Sequence, residues 1–309
     1  MTIMFLPEGL LYNTKENQAT IRSAICMQEA INSKQILEAR AILCDNNHNL
    51  WVDLPAGKGI IPRLEGAIGI DDGSVKDIAL ISRVGKPVCF TVQQRTTDPA
   101  GDPLWILSRK EAQQQCRNQH IAGLFPGDVI DVVITHLEPY GAFCDIGCGI
   151  SSLIPINSIS VSRIFHPADR FTPGQHAKAI VKAVEPNGRI LLTHKELFGT
   201  WEENAALFHA GETVTGLIRT VEPYGCFVEL TPNLAGLAEP KEGVCSGQNA
   251  AVFIKSIIPE KMKVKLIIVD AFECSKKSVH HPYLLKDRHI DHWYYSPPEC
   301  DKIIKTDFI

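Results

Sequence analysis

The chain has 309 residues, enough for two or three domains. Its composition, 45% hydrophobic and 21% charged, is ordinary for a globular protein that needs neither disulfides nor metals to build a core. With 31 Lys and Arg against 35 Asp and Glu the formal net charge is −4, which excludes a polycation that clings to nucleic acid by charge alone but leaves local patches and stacking aromatics open.

Residues 1–32 read as an N-terminal segment with a helix. The start of the chain has no basic stretch and meets Pro7 and Glu8 before a signal-type apolar region could form. No apolar run reaches the roughly 18 residues of a membrane span. The ten cysteines are scattered without a Cys-x-x-Cys pair, several inside apolar strand-like runs, as in a reducing compartment. The expectation is a cytoplasmic protein with no membrane partner, no small-molecule substrate and no cofactor.

Residues 33–110 contain Leu50-Trp51-Val52-Asp53-Leu54, a period-two strand pattern, and read as a divergent barrel. A linker helix is predicted at 111–122. Residues 123–199 form a second barrel, with β-branched strands at Val129–Leu137, 177–184 and 188–193 and a helical turn in the connection 158–173. A second linker helix is predicted at 200–210, a shortened barrel at 211–272 and a tail at 273–309. The predicted class is all-β: three tandem five-stranded barrels joined by short helices.

An internal repeat supports this division. Residues 125–156 align without a gap to 209–240, and Leu-Glu-Pro-Tyr-Gly-Ala-Phe in the first copy (137–143) faces Val-Glu-Pro-Tyr-Gly-Cys-Phe in the second (221–227). A weaker copy upstream pairs Ile60-Ile61-Pro62 with Leu153-Ile154-Pro155, and Ser108-Arg109-Lys110-Glu111 with Thr193-His194-Lys195-Glu196.

Alternation along the strands puts Ala142, Cys144 and Ile146 on the inner face and Phe143 with Asp145 on the outer one. By the same rule Phe227 and Glu229 face out of the third barrel, and Trp51 and Asp53 out of the first. An aromatic beside a carboxylate on the polar face thus recurs three times. Phe143 and Phe227, with Tyr140 and Tyr224 three residues earlier, and Trp51 are candidate stacking platforms for bases. The competing reading packs these rings under the long connection or against the next barrel. Lys178, Lys182 and Arg189 in the second barrel, and Arg219, Lys255 and Lys263 (with Lys265) in the third, are candidate backbone contacts. Because 124–196 and 211–271 each carry six basic and seven acidic residues, only a modest salt dependence is expected.

The stretches Gly127-Asp128-Val129, Tyr140-Gly141-Ala142-Phe143, Gly174 with Lys178, Gly188-Arg189-Ile190, Thr193-His194-Lys195 and, in the third barrel, Tyr224-Gly225-Cys226-Phe227 with Gly236-Leu237 resemble the S1 RNA-binding domain. This OB-fold barrel occurs in tandem in the bacterial ribosomal protein S1 family. The resemblance is strong over about 123–272 and weaker over 33–110. It implies RNA contacts at Tyr140, Phe143 and Arg189, and at Tyr224, Phe227 and, loosely, Lys263. The family's loop histidine is replaced by Pro155 and by Glu239, which weakens binding most in the third barrel. The first barrel has His48 where the tyrosine belongs and an insertion at 94–105. By resemblance this barrel docks on the 30S subunit.

Other constellations fail. Gly57-Lys58-Gly59 lacks the rest of a P-loop, and Gly66-Ala67-Ile68-Gly69 is followed by Asp71 and Asp72, a poor phosphate clamp. Neither hydrolase nor two-metal nuclease motifs occur. The tail holds Cys274, His280, His281, His289, His292 and Cys300 at spacings unlike a standard zinc site. Its aromatics are expected to fold back onto a barrel or to form a docking segment. The reading is a non-enzymatic protein holding single-stranded mRNA for translation. A ribosome-independent RNA chaperone or regulator, an accessory ribonuclease subunit and a pure protein-interaction module are the alternatives.

Overall fold

A computed structural model describes residues 5–186, 188–273 and 281–308. Two helices precede the barrels, α1 (Lys15–Arg22) and α2 (Ala24–Ser33), where the sequence pointed to one. The break is at Ser23, whose extended backbone ends α1 and whose hydroxyl accepts from the Cys26 amide to start α2.

The first barrel comprises β1 (Leu37–Cys44), β2 (Leu50–Leu54), β3 (Gly57–Ile61), β4 (Pro87–Thr97) and β5 (Pro103–Ser108), with the one-turn helix α3 (Ile78–Ile81) in the long connection. Helix α4 (Arg109–Gln119) follows. The second barrel comprises β6 (Val129–Glu138), β7 (Gly141–Asp145), β8 (Ser151–Pro155), β9 (His176–Val184) and β10 (Ile190–Thr193). After helix α5 (Trp201–Ala205) the third comprises β11 (Thr213–Glu222), β12 (Gly225–Thr231), β13 (Leu234–Ala238), β14 (Asn249–Ile258) and β15 (Lys263–Phe272).

All three sheets close with one cyclic order: first, second, third, fifth, fourth strand. The third and fifth strands are parallel each time, pairing Gly59 with Trp105, Leu153 with Leu191 and Leu237 with Lys265. This is the five-stranded Greek-key barrel of the OB-fold. The insertion at 94–105 is no separate element. It lengthens the hairpin of β4 and β5, pairing Thr97 with Pro103 across a turn at Asp98–Asp102.

The chain forms two compact units, one of residues 1–124 with 131–133 and 145–151, the other of the remainder. In the first, Leu37, Leu50, Ile61, Phe90, Trp105 and Leu107 close the barrel interior over Met27 of α2. Segment 5–12 is bound to the same unit through Glu8. Arg109 donates to both Glu8 oxygens at 2.6 and 3.0 Å, Arg83 donates at 3.0 Å and the Cys89 amide at 3.1 Å. The Glu8 amide donates in turn to Asp145 at 2.7 Å.

In the second unit Ile218, Cys226, Val228, Val252, Ile254 and Leu266 fill the third barrel, and Trp293, Tyr295 and Phe308 join the same core. The tail therefore folds back onto a barrel. It does so through a two-stranded sheet, β16 (His292–Tyr294) with β17 (Lys305–Asp307). The Tyr295 hydroxyl donates to the Asn233 carbonyl at 2.5 Å. Among the described residues no three His, Cys, Asp or Glu side chains converge as a metal site; Cys274 and His280 lie outside them. Among the same residues no helix is long and apolar enough to cross a membrane.

Alternation fails for two of the three carboxylates it places on the outer face. Asp53 is exposed, but Asp145 and Glu229 are buried. Asp145 accepts from the amides of Glu8, Gly147 and Gly149. Glu229 accepts from Arg170 at 2.6 Å and Arg219 at 2.7 Å. In each case chain from outside the strand covers the outer face, and the carboxylate serves as its anchor.

Candidate nucleic-acid interface

The Pro-Tyr turn between the first two strands fixes the aromatic pair in both barrels. Glu222 pairs with Gly225 across the two-residue turn Pro223-Tyr224, which throws Tyr224 outward and brings Phe227 up on the next outward position. Tyr140 is 57% and Tyr224 66% exposed, whereas Phe143 and Phe227 stand lower on the sheet. The rings meet edge to face, Tyr140 and Phe143 at 6.0 Å and 84°, Tyr224 and Phe227 at 6.3 Å and 87°. Each perpendicular pair forms a corner against which a flat ring can lie on one face and abut the other.

The glycine after each tyrosine keeps this corner in place. A Cβ on Gly141 would sit 2.5 Å from the Ile154 carbonyl oxygen, and one on Gly225 2.5 Å from that of Ala238. Gly225 also has φ of +154°. The next strand thus runs so close that only glycine fits.

Cross-strand register carries the site around each barrel. In the third, Thr220 pairs with Phe227, Phe227 with Leu237, Leu237 with Lys265 and Lys265 with Ser256. The matching row in the second is His136, Phe143, Leu153, Leu191 and Ala183, of which Leu153–Leu191 and Leu191–Ala183 are direct pairs. In the first it is Leu43, Trp51, Ile60, Ile106 and Gln94.

The fourth strand is irregular at one place in every barrel. Between the residues paired to the fifth strand one is skipped: Gln93, Lys182 and Lys255. A bulge re-aims the extra side chain, so the two lysines stand at equivalent places beside the row. The sequence offered both lysines but not the bulge that aligns them. Lys182 reaches Ser158 Oγ at 3.5 Å and Lys255 lies 3.7 Å from Glu239, the residue in place of the family histidine. Arg189 and Lys263 are exposed and also match one another, each two positions before the row residue of the fifth strand.

Two expected contacts stand elsewhere. Arg219 is nearly buried; its guanidinium holds Glu229 at 2.7 and 3.2 Å and lies 3.5 Å from Asp169. Its guanidinium is thus committed to carboxylates within the protein. Lys178 is exposed but five residues along β9 from Ala183, about 16 Å at about 3.3 Å per residue. Its backbone amide donates to the Tyr283 hydroxyl of the tail. One aromatic escaped the sequence reading. His136 lies flat on Phe143, centroids 4.2 Å apart and planes within 8°. The signal was its place opposite Phe143 across the hairpin.

The first barrel carries the row without the charge. Trp51 is half-buried and its indole N–H donates to Asp45 at 3.2 Å. Gln93 takes the place of the bulge lysine and donates to Glu111 at 2.5 Å. Leu104 occupies the place of Arg189 and Lys263. Leu43, Ile60 and Ile106 complete an apolar strip beside an acidic residue, a poor surface for a polyanion.

Residues 124–195 match the S1 RNA binding domain family. The chain is 28% identical over 267 residues to the small ribosomal subunit protein bS1 of Leuconostoc lactis, covering 76% of this chain and 60% of that protein. It is 29% identical over 278 residues to the bS1 protein of Staphylococcus aureus strain COL, covering 84% of this chain and 68% of that one. It therefore spans about three fifths to two thirds of the length of these relatives. A solved multidomain protein with nucleic acid binding domains from Streptococcus pneumoniae aligns over 76% of this chain and 73% of its own at 13% identity, with a TM-score of only 0.25. Residues 124–195 are thus similar to the S1 RNA-binding domain, and the chain is similar to bS1 proteins over most of its length.

Proposed function

We propose that the protein binds single-stranded RNA on the outer rows of its second and third barrels and holds mRNA for translation, as a non-enzymatic cytoplasmic partner of the small ribosomal subunit. The carrying observation is the repetition of one geometry: a perpendicular Tyr–Phe corner, at Tyr140 with Phe143 and Tyr224 with Phe227, beside a bulge lysine at 182 and 255. Base stacking is worth about 1–3 kcal/mol per base and tolerates any sequence. The lysines and Arg189 and Lys263 supply backbone contacts. The first barrel, with Gln93 and Leu104 at the places of the basic residues, suits a protein-docking part on the 30S subunit better than an RNA grip.

The test is binding of a fluorescent single-stranded RNA at physiological salt by wild type and by Phe143→Ala with Phe227→Ala. The expected loss is tenfold or more; a loss under threefold rejects the stacking reading. Sedimentation with 30S subunits tests the ribosomal part separately.

A further inference from the structure

We propose that His136 is itself a base-stacking residue, so that the second barrel receives a base on an imidazole where the third receives it on the phenyl ring of Phe227. The inference rests on the RNA-binding reading above and deepens it for one barrel.

His136 and Phe143 stand opposite one another on neighbouring strands, and their parallel contact at 4.2 Å covers one face of the phenyl ring. The next residue in the row, Leu153, stands on the far side of Phe143, as Leu237 does beside Phe227. A planar ligand entering the second barrel's row therefore finds the imidazole as its outermost flat surface. In the third barrel Thr220 holds the corresponding place, directly paired with Phe227. A threonine offers no ring, so there the phenyl face is the platform. In the first barrel the place belongs to Leu43, paired with Trp51.

The outer face of His136 is open. Ile134 of β6 donates to the Gln175 carbonyl and accepts from the Gly174 amide. His136 lies two residues beyond, and its side chain is exposed.

The ring is also oriented. The Thr135 hydroxyl lies 3.1 Å from the Phe143 carbonyl, an acceptor only, so its single proton goes there. The same hydroxyl oxygen lies 3.4 Å from His136 Nδ1. With the hydroxyl proton spent, this contact is a hydrogen bond only in the tautomer that carries the proton on Nδ1. Nε2 is then the nitrogen at the free edge, in reach of a ribose hydroxyl or base edge beside the stacked ring. Thr135 thus links ring orientation to the strand that carries Phe143.

The experiment uses the full chain and a single-stranded RNA carrying 2-aminopurine, whose fluorescence is quenched by stacking. His136→Thr installs the residue the third barrel already has there, His136→Phe keeps a flat ring, and Phe227→Ala reports on the third barrel alone. His136→Thr is expected to weaken binding about fivefold or more and to reduce the quench, while His136→Phe stays within twofold of wild type. Tighter binding by His136→Thr would make the histidine a cover over Phe143 and overturn the proposal. So would unchanged binding by His136→Thr when Phe227→Ala weakens it, with the RNA-binding reading left standing. If neither variant changes affinity or quench, both readings fail together. Circular dichroism on His136→Thr confirms that the barrel is intact.

Discussion

Glu8 and Arg109, separated by 101 positions in sequence, form a buried two-pronged ion pair: Nε donates to Oε1 at 2.6 Å and Nη2 to Oε2 at 3.0 Å. Burial alone would favour the neutral acid, but Arg109, helped by Arg83 and the Cys89 amide, outweighs it and holds Glu8 well below the usual carboxylate range. Removing one partner strands the other charge in the interior. Arg109→Met is expected to cost about 3–5 kcal/mol in urea unfolding. Combining it with Glu8→Gln should restore part of that loss, because the uncompensated charge is then gone. A double variant less stable than Arg109→Met would contradict this assignment.

Glu38 is the counterpart of opposite sign. Its Oε2 accepts from the amides of Gly9 and Tyr12 at 2.9 and 2.8 Å, while Oε1 is buried with no partner. Burial, then the nearby Glu8 carboxylate, pushes its pKa from the ordinary 4.5 up to about 8. The folded protein keeps a proton that the unfolded chain releases, so the contribution is complete below about pH 4.5 and is lost as pH rises towards 8. Thermal denaturation should therefore show falling stability between about pH 5 and 8. Asp145, raised by burial and by Glu8, acts in the same direction. Glu38→Gln, whose amide can take the place of the unpartnered oxygen, should remove at least half of the slope; an unchanged slope would place its origin elsewhere.

Affinity for RNA should depend only weakly on salt. Lys182, Arg189, Lys255 and Lys263 flank the two rows, and each neutralised phosphate of a single strand contributes about −0.7 to the slope of log K against log salt. The expected slope is no steeper than about −3. Lys182→Ala and Lys255→Ala should each flatten it by about 0.7 and weaken binding alike for all sequences. Arg219→Ala should leave the slope unchanged and lower stability, because it breaks the contact with Glu229.

The tail should behave as part of the second unit's core. Trp293→Ala is expected to destabilise that unit by about 3–5 kcal/mol, in the range for a buried aromatic. Tyr295→Phe should cost about 1–2 kcal/mol by leaving the Asn233 carbonyl without its donor. Limited proteolysis coupled to unfolding checks both, and cleavage of the tail with no loss of stability would contradict them.

Much of this was legible in the sequence because it repeats. Glu-Pro-Tyr-Gly-x-Phe specifies a two-residue turn, a close strand and an outward ring with only local information, and both copies fold to one geometry. The inward set Leu50, Val52 and Leu54 was equally local. What period two could not see was cover. Asp145, Glu229 and Arg219 sit on outward positions but are buried or nearly so by residues remote in the chain: Glu8 for the first, the connection carrying Asp169 and Arg170 for the other two. The bulges at 93, 182 and 255 were hidden too, since skipping one residue leaves no mark on composition. His136 was overlooked because a lone histidine in an apolar strand has meaning only once its neighbour across the hairpin is known.

On the proposed RNA-binding reading, the parallel pairing of third and fifth strands bears on copies sharing one long polymer. It joins each sheet to itself, so each barrel closes without a free edge strand along its length. Many copies gathered side by side along one RNA would meet through side chains and turns. Among the described residues the strands outside the barrels are the three-residue β16 and β17, too short to template another chain, while in the first barrel a short hairpin end at Gln94–Thr97 pairs on one side. Crowding on the polymer can thus proceed without strand exchange between copies.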